Sequence, residues 1–189
     1  MTTLLGTSNV NSKLSSAIAN VKWHLGGASS SNYETLTAEG IYTQERNTSA
    51  VYSGNPSSIY AKVGLMYPSD YGYATVGGTT TNKSSCRAKE LFGWAVSSFS
   101  DCKNNDWLFT SQKSSWGSNK NEWLLSPFSS NSNNAATLAL EGFVYLGDDI
   151  DSGTSNALFD VRPSFYLDSS ILKIVGTGDG SSSNPYRIG

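Results

Sequence analysis

Apolar and polar residues alternate along this chain in short runs, and the clearest lie between Glu122 and Leu167. Trp123-Leu124-Leu125-Ser126-Pro127 at one end and Val161-Arg162-Pro163-Ser164-Phe165-Tyr166-Leu167 at the other read as strands meeting a proline. Between them, Thr137 to Leu140 and Gly142 to Gly147 are apolar runs separated by Asn-, Ser-, Gly- and Asp-rich segments, the pattern of short antiparallel strands on exposed loops. Near the N-terminus, Leu14, Ile18 and Val21 are spaced by four and three, which predicts a helix from about Asn9 to Asn20 capped by Ser8 or Asn9. Val21 to Gly27 predicts a strand and turn, Tyr33 to Gly40 a short helix, and Gly40 to Arg46 a strand whose Glu45 and Arg46 point to opposite faces. Ala61 to Tyr67 reads as a core strand, and Pro68 to Ala74 as a turn in which Ser69 or Asp70 bonds the backbone two residues on and Gly72 takes positive φ. Val76 to Ser85 is loop, Cys86 to Phe99 has helical spacing, Asp106 to Thr110 is a strand, and Ser111 to Asn121 is a polar loop. A closing hairpin pairs Ile171 to Val175 with Tyr186 to Ile188. The sum is a single α+β domain, mainly antiparallel sheet with an N-terminal helix and one further helix.

Composition narrows the class. The 189 residues carry 15% charged side chains against roughly 25% in ordinary soluble domains, while 33 Ser and 16 Asn supply the polarity. With a net charge of -2 and Lys and Arg scattered singly, no basic field exists for phosphates, so nucleic acid is not an expected partner. Five Trp and ten Tyr exclude a disordered chain and suit a β-rich extracellular domain. No stretch has the length needed to span a bilayer, and the first residues lack the charged-then-apolar pattern of a signal peptide.

Cys86 and Cys102 are the two cysteines. Outside the cell they are expected to pair, closing a loop of about 15 residues for about 3 kcal/mol; two free thiols of a cytosolic protein are the alternative. A straight helix from Cys86 to Phe99 separates its ends by about 20 Å, beyond disulfide reach. Pairing therefore requires either a shorter helix or a Cys102 on a returning loop.

Candidate chemistry is sparse. His24 is the sole histidine, no Gly-x-Ser-x-Gly occurs, and no nucleophile and base can be assembled, so an enzyme is not expected. Tyr71 and Tyr73 either stack on a sugar or cover a sheet edge, and Trp116, between Ser115 and Gly117, is the aromatic most expected to be exposed. Asp148, Asp149 and Asp151 form the one acidic cluster, either a calcium site or a solvated loop. No other cofactor is expected.

Taken in order, Tyr42-Thr43-Gln44-Glu45-Arg46, Gly64 to Ala74, Cys86, Cys102, Asn105-Asp106-Trp107-Leu108, the Trp-x-Leu-x-Ser-Pro segment, Val-Arg-Pro-x-Phe-x-Leu, Gly178-Asp179-Gly180 and Asn184-Pro185-Tyr186 resemble the exported head of prepilin-like (type IV pilin- and type II secretion-like) bacterial surface proteins. The closing half resembles the formylglycine-generating-enzyme branch of the C-type-lectin-like fold. The resemblance implies a lectin-like head at 23–189 on a stem helix ending near residue 22, with an apolar helix ahead of Met1 cut away as the only membrane contact. It implies a non-enzymatic surface or pilus subunit for filament assembly or adhesion, with other pilin-like subunits or host and surface glycans as partners; a carbohydrate- or peptide-binding module is the alternative. The redox cysteines of the enzymes in that fold do not carry over, because both cysteines precede Trp107. Arg162 is implied to pair with a carboxylate, with Glu45, Glu122 and Asp160 as candidates.

Overall fold

The computed structural model describes residues 12–115, 121–149, 159–169, 174–175, 177–178, 183–184 and 187–188; for 12–14, 112–115, 148–149, 174–175 and 187–188 it gives the backbone course alone. Helix α1 (Ser12–Ala17) leads into β1 (Val21–His24). Residues 21 and 22, expected with the stem, are thus the first two of this strand, and β1 pairs antiparallel with β2 (Ser58–Ala61). Ile18 is buried and bridges Leu167, with Ala19 N donating to Tyr166 O at 2.9 Å and Asp168 N to Ala17 O at 2.8 Å. The end of α1 is therefore sewn to the segment that follows Arg162.

The strand expected at Gly40 to Arg46 is a helix, α2 (Ala38–Arg46). Thr37 caps it, its Oγ1 accepting from Gly40 N at 3.2 Å, and Ala38, Ile41 and Glu45 share the buried face at steps of three and four. On a helix the neighbours Glu45 and Arg46 do meet, at 3.0 Å, contrary to the opposite faces a strand would impose. The core strand expected from Ala61 to Tyr67 is divided, β2 ending at Ala61 and β3 (Gly64–Leu65) standing apart from it. The turn expected next is also helical: α3 (Pro68–Ala74) has Pro68 in its first turn, and the Asp70 carboxylate accepts from Tyr67 N at 2.9 Å. Gly72 does not take positive φ, which among the described residues belongs to Gly54, Gly77 and Gly142. It is needed for close approach instead, since a Cβ there would lie 2.5 Å from the Ala38 Cβ of α2.

The long helix expected from Cys86 is broken. Asn82 caps α4 (Lys83–Ala88), two 3-10 turns span Leu91–Ala95 and Ser97–Phe99, and α5 (Ser100–Asn104) follows. The breaks turn the chain back, so Cys86 and Cys102 are 5.5 Å apart at Cα and form a fully buried disulfide. Alongside it, the Asp101 carboxylate accepts from Thr80 and Thr81, tying the loop before α4 to α5. The strand expected at Asp106 to Thr110 is α6 (Trp107–Ser115), capped by Asp106.

The main sheet has the order β6-β5-β4-β7, built from β4 (Glu122–Pro127), β5 (Asn134–Leu138), β6 (Val144–Asp149) and β7 (Asp160–Val161). The first three run antiparallel, as their alternation predicts, whereas β7 lies parallel to β4. Glu122, Leu124 and Ser126 face inward from β4, and Leu124, Leu138, Val144 and Leu146 pack with Ile41, Tyr71, Leu91 and Trp94 of the helical layer. Strand β8 (Pro163–Ser164) pairs with β3, and the expected closing hairpin is present as β9 (Ile174–Val175) with β10 (Arg187–Ile188). The domain is α+β, with six α-helices among the described residues; the short helix expected from Tyr33 to Gly40 is a turn over 30–35, with α2 beginning only at Ala38.

Two substitutions check this packing. Cys86→Ser with Cys102→Ser is expected to lower stability by about 3 kcal/mol in denaturant unfolding, because the bridge closes a loop with a separation of 16 residues. Gly72→Ala is expected to cost about 1–3 kcal/mol by forcing α2 and α3 apart.

Candidate binding cleft

An open cleft of about 380 Å³ lies between α3, α6 and the segment after β8, with Trp23 and Leu65 also lining it. Its exposed aromatic groups are Tyr73, Trp107, Phe165 and Tyr166, and Asp70 is the charged residue of the lining. Each is placed by a separate local cause. Asp106 Oδ1 accepts from Leu108 N at 2.9 Å and Phe109 N at 3.1 Å, starting α6 so that Leu108 and Phe109 enter the core while Trp107 stays outside, 62% exposed. Tyr73 projects from α3 and stands between the cleft and a polar hollow of about 790 Å³ lined by Glu39, Lys83 and Arg87.

The floor is Trp23 of β1, buried against β3. A Cβ at Gly64 would lie 2.8 Å from the indole, so glycine is required for the ring to lie on the strand. Tyr67 fixes β1 from the other side. Its hydroxyl accepts from His24 N at 2.7 Å and donates to His24 O at 3.1 Å, and burial pushes this phenol up to about 12. Along the rim, Tyr73 packs edge-on to Tyr42, Arg46 stacks 3.5 Å over Tyr42 and 5.3 Å from Tyr67, and Tyr67 contacts Trp23, which contacts Tyr166. Both ends of this continuous aromatic and guanidinium strip, Tyr73 and Tyr166, line the cleft.

Beneath it lies a buried ionic network. Glu122, on the core face of β4, accepts from Tyr71 Oη at 2.7 Å through Oε1 and pairs with Arg162 Nη2 at 3.1 Å through Oε2. Arg162 Nη1 donates to Leu108 O at 3.1 Å and to Ser111 Oγ at 3.3 Å, which fastens α6 to the sheet. Desolvation raises Glu122 above the usual carboxylate range, while Tyr71 and Arg162 oppose that rise. Two other buried acids are pushed up to about 7, chiefly by desolvation: Glu45, which accepts from Ser69 N and Oγ, and Asp106, whose Oδ2 has no hydrogen-bond partner among the described residues.

Of the candidates read from the sequence, Tyr73 lines the cleft. Tyr71, two residues away on α3, is 1% exposed and serves Glu122, so it offers no face to a ligand. Trp116 and Asp151 lie outside the described residues; Asp148 and Asp149 belong to β6, opposite Ala135 and Asn134, by backbone alone. Among the described residues no group of three or more His, Cys, Asp or Glu is placed to hold a metal. Glu122 is the carboxylate that Arg162 selects from the three candidates. Trp107, Asp70, Phe165 and Tyr166 were not legible as a site; the one available signal was Asp106 as a helix cap, which sets Trp107 at the first helical position. No protein-family model matches the chain, and no curated protein or solved structure matches it.

The network predicts a pH response. Glu45 and Asp106 hold protons more tightly folded than unfolded, so between about pH 4 and 7 the folded state binds the more protons. Their contribution to stability is fully present below that window and is lost as pH rises through about 7. Chemical denaturation across this range is expected to show that decline, with Glu45→Gln and Asp106→Asn each flattening it. Arg162→Met leaves Glu122 buried without its cation and is expected to cost about 3–5 kcal/mol in the same measurement.

Proposed function

We propose that this chain is the head of a non-enzymatic, pilin-like subunit of the bacterial cell surface, and that its aromatic cleft binds extracellular carbohydrate or peptide in adhesion. The observation that carries the reading is the convergence of four exposed aromatic side chains on one hollow whose walls are fixed from below by buried charge. Exposed apolar surface gathered into a concave patch is costly to leave in water, and such patches mark ligand or partner sites. Among the described residues Asp70 is the one acid of the lining, without a histidine or a second carboxylate for acid–base work, which supports binding over catalysis. The Ser- and Asn-rich, weakly charged composition and the buried disulfide support an extracellular setting.

Subunit assembly is supported by a second face. A hollow of about 300 Å³ with almost wholly apolar walls lies between Trp23, Val63, Leu125 and Pro163, rimmed by exposed Ile59 and Val161. In that reading it receives a neighbouring pilin-like subunit.

Glycan-array binding, run with and without calcium, is expected to be lost in Trp107→Ala while unfolding stability changes by no more than about 0.5 kcal/mol, as for an exposed side chain. A flat array under both conditions overturns the carbohydrate version. Electron microscopy of the full-length protein tests assembly: absence of filament association or surface display overturns it.

A further inference from the structure

We infer that the group recognised in the cleft is a quaternary ammonium of choline type, carried on the ligand; this rests on the binding reading above and specifies its chemistry. The walls carry the aromatic side chains of Tyr73, Trp107, Phe165 and Tyr166, and the charged group among them is the Asp70 carboxylate. Aromatic faces attract cations through their quadrupole, tryptophan most strongly, and a carboxylate adds direct attraction.

Asp70 is both held and available. Its Oδ2 is anchored by Tyr67 N at 2.9 Å, it is partly exposed, and Oδ1 takes no hydrogen bond from the described residues. The protein's own cations do not cancel it. Arg46, whose field reaches Asp70, is paired with Glu45 at 3.0 Å, and Arg87 lines the neighbouring hollow together with Glu39. The same strip already receives cations on its rings: Arg46 lies 3.5 Å from the Tyr42 centroid and Arg87 lies 4.6 Å from that of Tyr73.

The choice between quaternary and primary ammonium follows from donor counting. A lysine-type ammonium brings three N–H donors, and each one left unpaired in a desolvated site carries a penalty. Asp70 supplies the one anionic acceptor of the described lining, its other side-chain acceptors being the hydroxyl groups of Tyr73, Ser164 and Tyr166. A trimethylammonium group has no donors to satisfy, and its methyl groups pack on the rings while its charge faces Asp70.

The test is isothermal titration calorimetry of the full chain with choline and with its neutral tert-butyl isostere, dimethylbutanol. The expected result is saturable choline binding about tenfold tighter than the isostere, the order of a partly desolvated cation–π contact plus one carboxylate. Asp70→Asn, which retains an acceptor for Tyr67 N, is expected to reduce that difference to its cation–π part, and Trp107→Ala to abolish binding, with thermal melts confirming that both variants fold. Equal affinity for choline and the isostere overturns the cation preference and leaves the cleft as a binding site. Absence of choline binding alongside Trp107-dependent binding on the glycan array overturns the inference alone. Absence of binding in both experiments overturns the inference and the carbohydrate version of the binding reading together.

Discussion

Glu122 alternates into the core of β4 beside Leu124, and a carboxylate placed there is tolerated only if both of its oxygens are met. Tyr71 of α3 meets one and Arg162, just after β7, meets the other, so three parts of the chain far apart in sequence are fixed to a single side chain. Arg162 has donors to spare and uses them on the Leu108 carbonyl and the Ser111 hydroxyl of α6. The planar fork of the guanidinium sets relative position as well as proximity, which an ammonium would not do. Replacing the group with apolar residues of equal volume would relieve the desolvation cost but would discard this orientation.

The cleft follows from that arrangement. Tyr73 is two residues beyond Tyr71, Trp107 precedes Leu108, and Phe165 and Tyr166 lie three and four residues beyond Arg162. Every wall of the cleft is thus within a few residues of a group bound into the buried network. The rim has its own order, from Tyr73 through Tyr42, Arg46 and Tyr67 to Trp23, which ties α2 and β1 to the same surface.

The sheet was legible because β4 and β6 alternate buried with half-buried residues and β5 ends in an apolar run, although β5 is buried at three successive residues and starts at Asn134 where the run was read from Thr137; the hairpin at the end was legible from its glycines and proline. Helices α2 and α6 were not. Ile41-Tyr42-Thr43 and Trp107-Leu108-Phe109-Thr110 carry β-branched and aromatic residues that fit strands, yet Thr37 and Asp106 cap helices there, and on α2 the buried positions repeat at helical steps. Pro68 serves equally for a turn and for the first turn of a helix, and only the contact of Gly72 with Ala38 decides between them. The disulfide was legible as a constraint: no straight helix allows it, and the chain meets it by breaking after Ala88. The cleft was not legible, because its aromatic residues come from segments that sequence spacing does not associate.

Strands β7 and β8 are two residues each, so the wall bearing Phe165 and Tyr166 is held by few ladder bonds and chiefly by Arg162 and the bridge from Leu167 to Ile18. Parallel addition of β7 to β4 also joins positions separated by a long stretch of chain, a non-local contact whose loop-closure entropy must be met before it adds stability. The three antiparallel strands can persist while this wall detaches. A ligand seated against Phe165 and Tyr166 would therefore act as the missing ladder, slowing amide exchange across residues 160–168 well beyond the atoms it touches.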